Sequence, residues 1–206
     1  MNYYFDTEFI DHAKQPRFCG IRVGKPIQTT ELISIGIVAE DGREYYAVSN
    51  EFDLDAAWRN KWVRLNVLLP LHAELCDKQG THAKTYHYGL FEPFTKKSMR
   101  YLLKWSGKSR YDIRREINEF CDLNPKFYAY FADYDWVVLC HLFGHMIDLP
   151  VRFPKYCMDL KQMMEERGLM PEWREIFCPD PANEHNALAD ARWNKVLYAT
   201  IMNSRP

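Results

Sequence analysis

The chain opens on a nearly continuous apolar run interrupted on one face only. In "NYYFDTEFI", the residues Tyr3, Tyr4, Phe5, Phe9 and Ile10 are good strand formers, and Asp6 and Glu8 fall among them two positions apart. Strand side chains alternate faces, so the two acids point the same way and Thr7 points opposite. A polar loop with Pro16, Gly20, Gly24 and Pro26 follows. Next, "ELISIGIVAEDGREYYAVS" reads as a hairpin. Leu32 to Ala39 is almost wholly apolar, as a central strand is. Asp41-Gly42 is a two-residue turn signal, and Glu44 to Ser49 returns. These runs predict an antiparallel meander.

Helical spacing then takes over. "DLDAAWRNKWVRLNVLLPL" is helix-biased and is expected to stop near Pro70. Ser109 to Cys121 places Ile113, Ile117 and Phe120 at core spacing. "KFYAYF" is a short strand, and Asp133-Tyr134-Asp135 opens a helix after it. "KYCMDLKQMMEERG" reads as strand then helix, capped by Asp159 and stopped by Gly168. A loop with Pro171, Pro179 and Pro181 leads to a last helix, Ala187 to Met202, whose apolar stripe includes Leu188, Ala191, Val196, Leu197 and Ile201. A meander followed by alternating helices and strands is an α/β pattern on a mixed sheet. The 206 residues fit a single domain, 1–206.

Composition changes this picture in one place. Net charge is −1, so any field that attracts nucleic acid must be local. It is local between Asp77 and Arg115, where ten Lys and Arg face three acids, interleaved with aromatics such as Tyr101, Trp105 and Tyr111. Such a stretch can follow a phosphate backbone and stack bases. A solvated insertion or a dimer contact is the alternative. The six cysteines form no CxxC pair, which argues against zinc and fits the reduced thiols of a cytoplasmic protein. No signal-peptide pattern opens the chain, and no apolar run reaches the ~18 residues of a membrane span. His141 and His145 share a helical face but lack a third ligand, and read as structural.

Three acid groups carry the candidate chemistry. Asp6 and Glu8 either face water at a strand end or hold a hard cation, because like charges side by side repel and burial raises both pKa values. Asp133 and Asp135 lie where a strand meets its helix, the usual position of sites in open α/β sheets. Helix capping accounts for Asp133, which leaves Asp135 to point back over the sheet edge. In "HNALADAR", His185 precedes a helix and Asp190 lies in its first or second turn. The Asp can hold a cation while the His moves protons near neutral pH. A surface His and a dipole-favoured Asp are the plain alternative. Asp6, Glu8, Asp135 and Asp190 can all share one sheet edge, where four carboxylates would repel unless cations sat among them. Oxygen-only ligation suits Mg²⁺ or Mn²⁺. Two such ions about 3.5–4 Å apart clamp the attacking and leaving oxygens of a phosphodiester.

"FDTEF", "YFADYDWVVL" and "HNALADA" together resemble the three motifs of the DEDDh exonucleases, the RNase T, oligoribonuclease and proofreading-subunit superfamily. The DTEF opening is similar to a subfamily of small bacterial and phage-type exoribonucleases. The likeness covers Met1 to about Leu69 and Phe127 to Ala199, with residues 77–115 as a basic, aromatic insertion. It implies an RNase H-like fold, a five-stranded mixed sheet flanked by helices. It implies two Mg²⁺ or Mn²⁺ ions and hydrolysis of RNA from the 3′ end to nucleoside 5′-monophosphates. Residue by residue, Asp6, Glu8, Asp135 and Asp190 match the metal-binding acids, and His185 matches the general base. Thr7 and Phe9 follow the first motif and would contact the terminal nucleotide, with a core role the alternative for Phe9. The family has a polar residue a few positions before its second-motif Asp. Tyr130, Phe131 and Ala132 stand there instead, so Asp133 remains a rival to Asp135. Single-stranded DNA is the alternative substrate. A catalytically idle nucleic-acid-binding module is the other reading, although it has no need to gather repelling carboxylates. Relatives with this fold often pair, so a homodimer is expected.

Overall fold

The structure, a computed structural model, describes residues 1–78, 93–181 and 184–204. Its centre is a five-stranded sheet in the order β5-β4-β1-β6-β7. The strands are β1 (Asn2–Lys14), β4 (Ile27–Ala39), β5 (Glu44–Val48), β6 (Lys126–Ala129) and β7 (Met158–Asp159). β1, β4 and β5 pair antiparallel, as the alternating apolar runs predict. β6 and β7 add on in parallel, which makes the sheet mixed. The turn at Asp41-Gly42 closes β4 onto β5 with Gly42 at φ +94°.

The loop expected after the first strand is more regular than its prolines suggest. β1 and β4 run on as a ribbon to Lys14 and Ile27, capped by a small hairpin of β2 (Arg17–Phe18) and β3 (Ile21–Arg22). The helix expected to stop near Pro70 also continues. α1 (Leu54–Arg59) and α2 (Lys61–Val63) lead into a π-helical turn, Arg64–Leu68, and then α3, Leu69–Lys78. Pro70 lacks the N–H an α-helix would use and crowds the preceding turn. The wider π turn, closed by Leu69 N–H donating to the Arg64 carbonyl, carries the chain past it.

Among the described residues the remaining α-helices are α4 (Lys96–Ser106), α5 (Arg110–Phe120), α6 (Ala132–Phe143), α7 (Leu160–Glu166), α8 (Pro171–Phe177) and α9 (Ala187–Asn203). α8 stands where a loop was expected, with Pro171 at its first position. α6 ends at Phe143, so His145 lies beyond it and pairs with Asp148 instead of sharing a face with His141.

Alternation along β1 sorts the helices into layers. Tyr3 and Phe5 face α5 and α6, packing with Ile113, Ile117, Trp136 and Leu139. Tyr4 faces the other way, into a core with α7 and α9. Ile10 shares Tyr4's face but enters a different core, formed by α1 to α4. Asp6 and Glu8 therefore occupy a gap between two apolar cores on one face of the sheet. The described part of the basic stretch is built into the molecule: α4 buries Met99, Leu102 and Leu103 against α1–α3.

Candidate active site

The site grows from a split in the sheet. β6 pairs with β1 only as far as Tyr4, so beyond it β1 keeps β4 on one edge and loses its strand partner on the other. Side chains from two helices replace that partner. Asn194 of α9 donates its Nδ2 to the Phe5 carbonyl (2.9 Å), and the Thr7 N–H donates to Asp135 Oδ1 of α6 (2.9 Å). The Thr7 hydroxyl donates to the same oxygen at 2.5 Å. Backbone groups that burial would otherwise orphan thus fix both acid-bearing helices on β1.

One glycine permits the approach. Gly36 sits opposite Asp6 in β4. A Cβ at Gly36 would lie 2.2 Å from the Ala187 carbonyl oxygen and 2.4 Å from Leu188 Cα. The start of α9 consequently rests directly on the strand, and Asp190 in its first turn reaches Asp6 and Glu8. Just before each acid-bearing helix a non-glycine residue takes the left-handed conformation, Phe131 at φ +56° and His185 at φ +66°. Such conformations cost on the order of 1 kcal/mol and concentrate at functional sites.

Carboxylate oxygens of Asp6, Glu8 and Asp190 lie within 4.8 Å of one another. Asp135 is outside that trio, but its charge raises the pKa of both Asp6 and Glu8. Among the described residues no Lys or Arg pairs with any of the four. Burial, followed by the charges of Asp135, Glu8 and Asp190, pushes Asp6 well above the usual carboxylate range. Burial, followed by Asp190 and Asp135, raises Glu8 to about 8. Burial raises Asp135 to about 7 against the two Thr7 hydrogen bonds, and raises Asp190 to about 6 against the N–H of His185. Asp133 is exposed, whereas Asp135 is buried and directed at β1. The oxygen-only donor set, its closeness and its lack of protein cations fit a divalent metal.

His185 is tied to the cluster through its backbone: its N–H donates to Asp190 Oδ2 at 3.0 Å. Its ring rests edge-on against Trp62 (centroids 4.8 Å apart, planes at 73°). Asn186 beside it caps α9 and donates to Glu74 Oε2 of α3 at 3.0 Å. Glu74 also accepts from Tyr46 and pairs with Lys78. Phe9 is half-buried and stacks on the exposed Tyr134 (5.9 Å, 12°), while Thr7 is committed to Asp135. Asp159 caps α7 as expected, and its second oxygen accepts the N–H of Ala132 at the start of α6.

Sequence reasoning missed Gly36, Trp62, Glu74 and Asn194. An isolated glycine in an apolar strand signals close backbone approach, so Gly36 was findable. Asn194 takes a core position in α9, while Val196, expected in the stripe, is exposed. Trp62 and Glu74 carry no local signal, because a tertiary contact alone brings them to the His185 loop.

Among the described residues no helix is long and apolar enough to cross a membrane. Residues 1–202 match the family model described as the 3′-5′ exoribonuclease Rv2179c-like domain, a match that runs through 77–115. The chain is 36% identical to "3′-5′ exoribonuclease Rv2179c" of Mycobacterium tuberculosis (strain ATCC 25618 / H37Rv), over 198 residues covering 93% of this chain and 88% of the relative. It matches "3′-5′ exoribonuclease MT2234.1" of Mycobacterium tuberculosis (strain CDC 1551 / Oshkosh) to the same extent.

Proposed function

The chain belongs to the 3′-5′ exoribonuclease Rv2179c-like family and is a 3′→5′ exonuclease acting on RNA; on that premise we propose that it is a DEDDh-type enzyme of RNase H-like fold that uses two divalent ions. Asp6, Glu8, Asp135 and Asp190 would hold Mg²⁺ or Mn²⁺. When bound, these ions supply electrostatic stabilisation of the charge that develops on the phosphate and on both in-line oxygens. The observation that supports this reading is the cluster of mutually raised carboxylates with no protein cation beside them.

The chain's own groups have distinct tasks. Thr7 holds Asp135 in place through two hydrogen bonds. Phe9, stacked on Tyr134, offers a ring edge to the terminal base. His185 takes a proton from the attacking water at an imidazole nitrogen. Water adds to the terminal phosphorus, and the bond from phosphorus to the 3′-oxygen of the preceding nucleotide breaks. The departing 3′-oxygen takes a proton from solvent, a nucleoside 5′-monophosphate leaves, and the RNA is one residue shorter with a free 3′-hydroxyl.

The test uses 5′-labelled RNA with Mn²⁺. A one-nucleotide ladder that shrinks from the 3′ end is expected, with 5′-monophosphates identified by chromatography, and with chelator or Asp190→Asn abolishing both. Internal cuts, 3′-monophosphate products or turnover undiminished by chelator would reject the mechanism. A parallel single-stranded DNA digest measures preference for the 2′-hydroxyl.

A further inference from the structure

The outer face of α4 has no role in the chemistry above. Its inner face is ordinary core: Met99, Leu102 and Leu103 pack with α1–α3. Lys97, Tyr101, Lys104 and Trp105 fall on the opposite side, at offsets of four, seven and eight residues, and form one stripe about 12 Å long. Tyr101 is 58% exposed and Trp105 64%. Their ring centroids are 6.3 Å apart, and Lys104 Nζ lies 5.5 Å over the Trp105 ring.

The charge on this helix is one-sided. α4 carries Lys96, Lys97, Arg100 and Lys104 and no acid. Asp55 of α1 pairs with Lys96 at 3.0 Å and with Arg100 at 3.2 Å. Lys97 and Lys104 make no ion pair among the described residues. The Tyr101–Trp105 and Lys104–Trp105 contacts steady the helix, but an ordinary solvated face intersperses charges of both signs, which this one does not. Large aromatics beside unneutralised lysines are what a single-stranded polyanion with flat bases requires.

We infer that the Lys97–Tyr101–Lys104–Trp105 face of α4 is an accessory RNA-holding surface, which binds the single strand upstream of the 3′ end being trimmed. Tyr101 and Trp105 stack on bases, and the two lysines lie along phosphates. The inner side of α4, beneath this surface, is joined to the proposed active site through one helix. His72 Nε2 of α3 and Ser98 Oγ of α4 are 2.9 Å apart, and α3 holds Asn186 next to His185 through Glu74. The inference rests on the reading of the substrate as RNA.

Two double variants test it, Tyr101→Ala with Trp105→Ala and Lys97→Gln with Lys104→Gln, all at exposed positions. Binding of fluorescein-labelled RNAs of about 4 and about 20 nucleotides is followed by anisotropy in chelator, and turnover is followed in Mn²⁺. Each variant should lose about 10-fold in affinity and in kcat/KM for the long RNA and keep wild-type values for the short one. The lysine pair should also flatten the salt dependence of binding by about 1.4 in log–log slope. Long-RNA binding and turnover equal to wild type would overturn the inference, as would equal losses on both lengths. A wild-type protein that binds long RNA more tightly than short but does not trim it would reject the hydrolytic mechanism and leave this surface standing.

Discussion

Two glutamates on the same two-stranded ribbon have opposite fates. Glu8 lies in β1, and Glu31 lies in β4 opposite Ile10, both with little exposed surface. Burial pushes Glu31 upward, but the Lys14 ammonium at 2.7 Å, the Asp53 N–H at 2.6 Å and the charges of Lys14 and His12 outweigh it. Its carboxyl is held below the usual range. Glu8 is buried more deeply, with Asp190 and Asp135 for company, and is raised to about 8. A buried acid is therefore not in itself the sign of a site. The sign is a buried acid that the protein has left without a cation.

The sharpest way to break the comparison is to neutralise one glutamate at a time. Glu8→Gln or Asp6→Asn should cut RNA trimming by about 1,000-fold or more, since several kcal/mol of charge stabilisation are lost. The same change should raise the thermal midpoint of the metal-free protein near neutral pH, because it removes a repelling charge. Glu31→Gln should do the reverse. Trimming should stay within a few fold of wild type, and stability should fall by about 1–3 kcal/mol as the Lys14 and Asp53 bonds weaken. A destabilised Glu8→Gln alongside an inactive Glu31→Gln would show that the two regions had been assigned the wrong way round.

A smaller effect comes from the backbone that brings the acids together. Gly36→Ala places a methyl 2.2 Å from the Ala187 carbonyl, and neither strand nor helix can yield without moving Asp190 relative to Asp6. Trimming should fall about 100-fold, the cost of roughly 1 Å of misplacement. Overpacking should cost about 1–3 kcal/mol of stability. Gly42→Ala, at a turn with open space but φ +94°, controls for the backbone and should leave trimming intact. Equal activity of the Gly36 and Gly42 variants would detach the approach of α9 from catalysis.

These contrasts also explain what could be read from the chain. Period-two alternation placed Asp6 and Glu8 on one face, and the apolar runs gave the β5-β4-β1 meander, because both signals are local. The offset of five from His185 to Asp190 put the histidine just ahead of a helix whose first turn carries the acid. What stayed hidden is tertiary. The continuation of α3 past Pro70 depends on a π turn, and the ordered ribbon beyond Phe9 depends on pairing between β1 and β4. The locking of α6 and α9 onto β1 depends on β6 being short, which leaves Phe5 and Thr7 backbone groups for Asn194 and Asp135. The sequence offered both Asp133 and Asp135, and burial separates them: one faces solvent, the other a backbone N–H.

The remaining prediction sets the two glutamates against pH. Glu8, Asp135 and Asp190, raised to about 8, 7 and 6, hold protons in the folded state that the unfolded chain releases above about pH 4–4.5. The unfolded state binds fewer protons across that window, so metal-free stability should fall as pH rises from about 4.5 to about 8, by up to about 1.4 kcal/mol per unit for each group. Glu31 has the opposite sign: its contribution is present above about pH 4.5 and is lost as pH falls through its lowered folded value. A divalent ion binds the ionised acids, so stabilisation by Mn²⁺ should grow with pH, reaching about 2.7 kcal/mol at 100-fold excess over its Kd. Urea midpoints taken from about pH 5 to about pH 8, with and without Mn²⁺, measure both trends. Glu8→Gln should flatten the alkaline fall and shrink the Mn²⁺ effect, while Glu31→Gln should lower the midpoint by a similar amount across the whole range and leave the alkaline slope unchanged. An Mn²⁺ shift equal at both ends of that range, or an alkaline slope undiminished by Glu8→Gln, would mean the acids between the two cores are neither raised nor waiting for a cation.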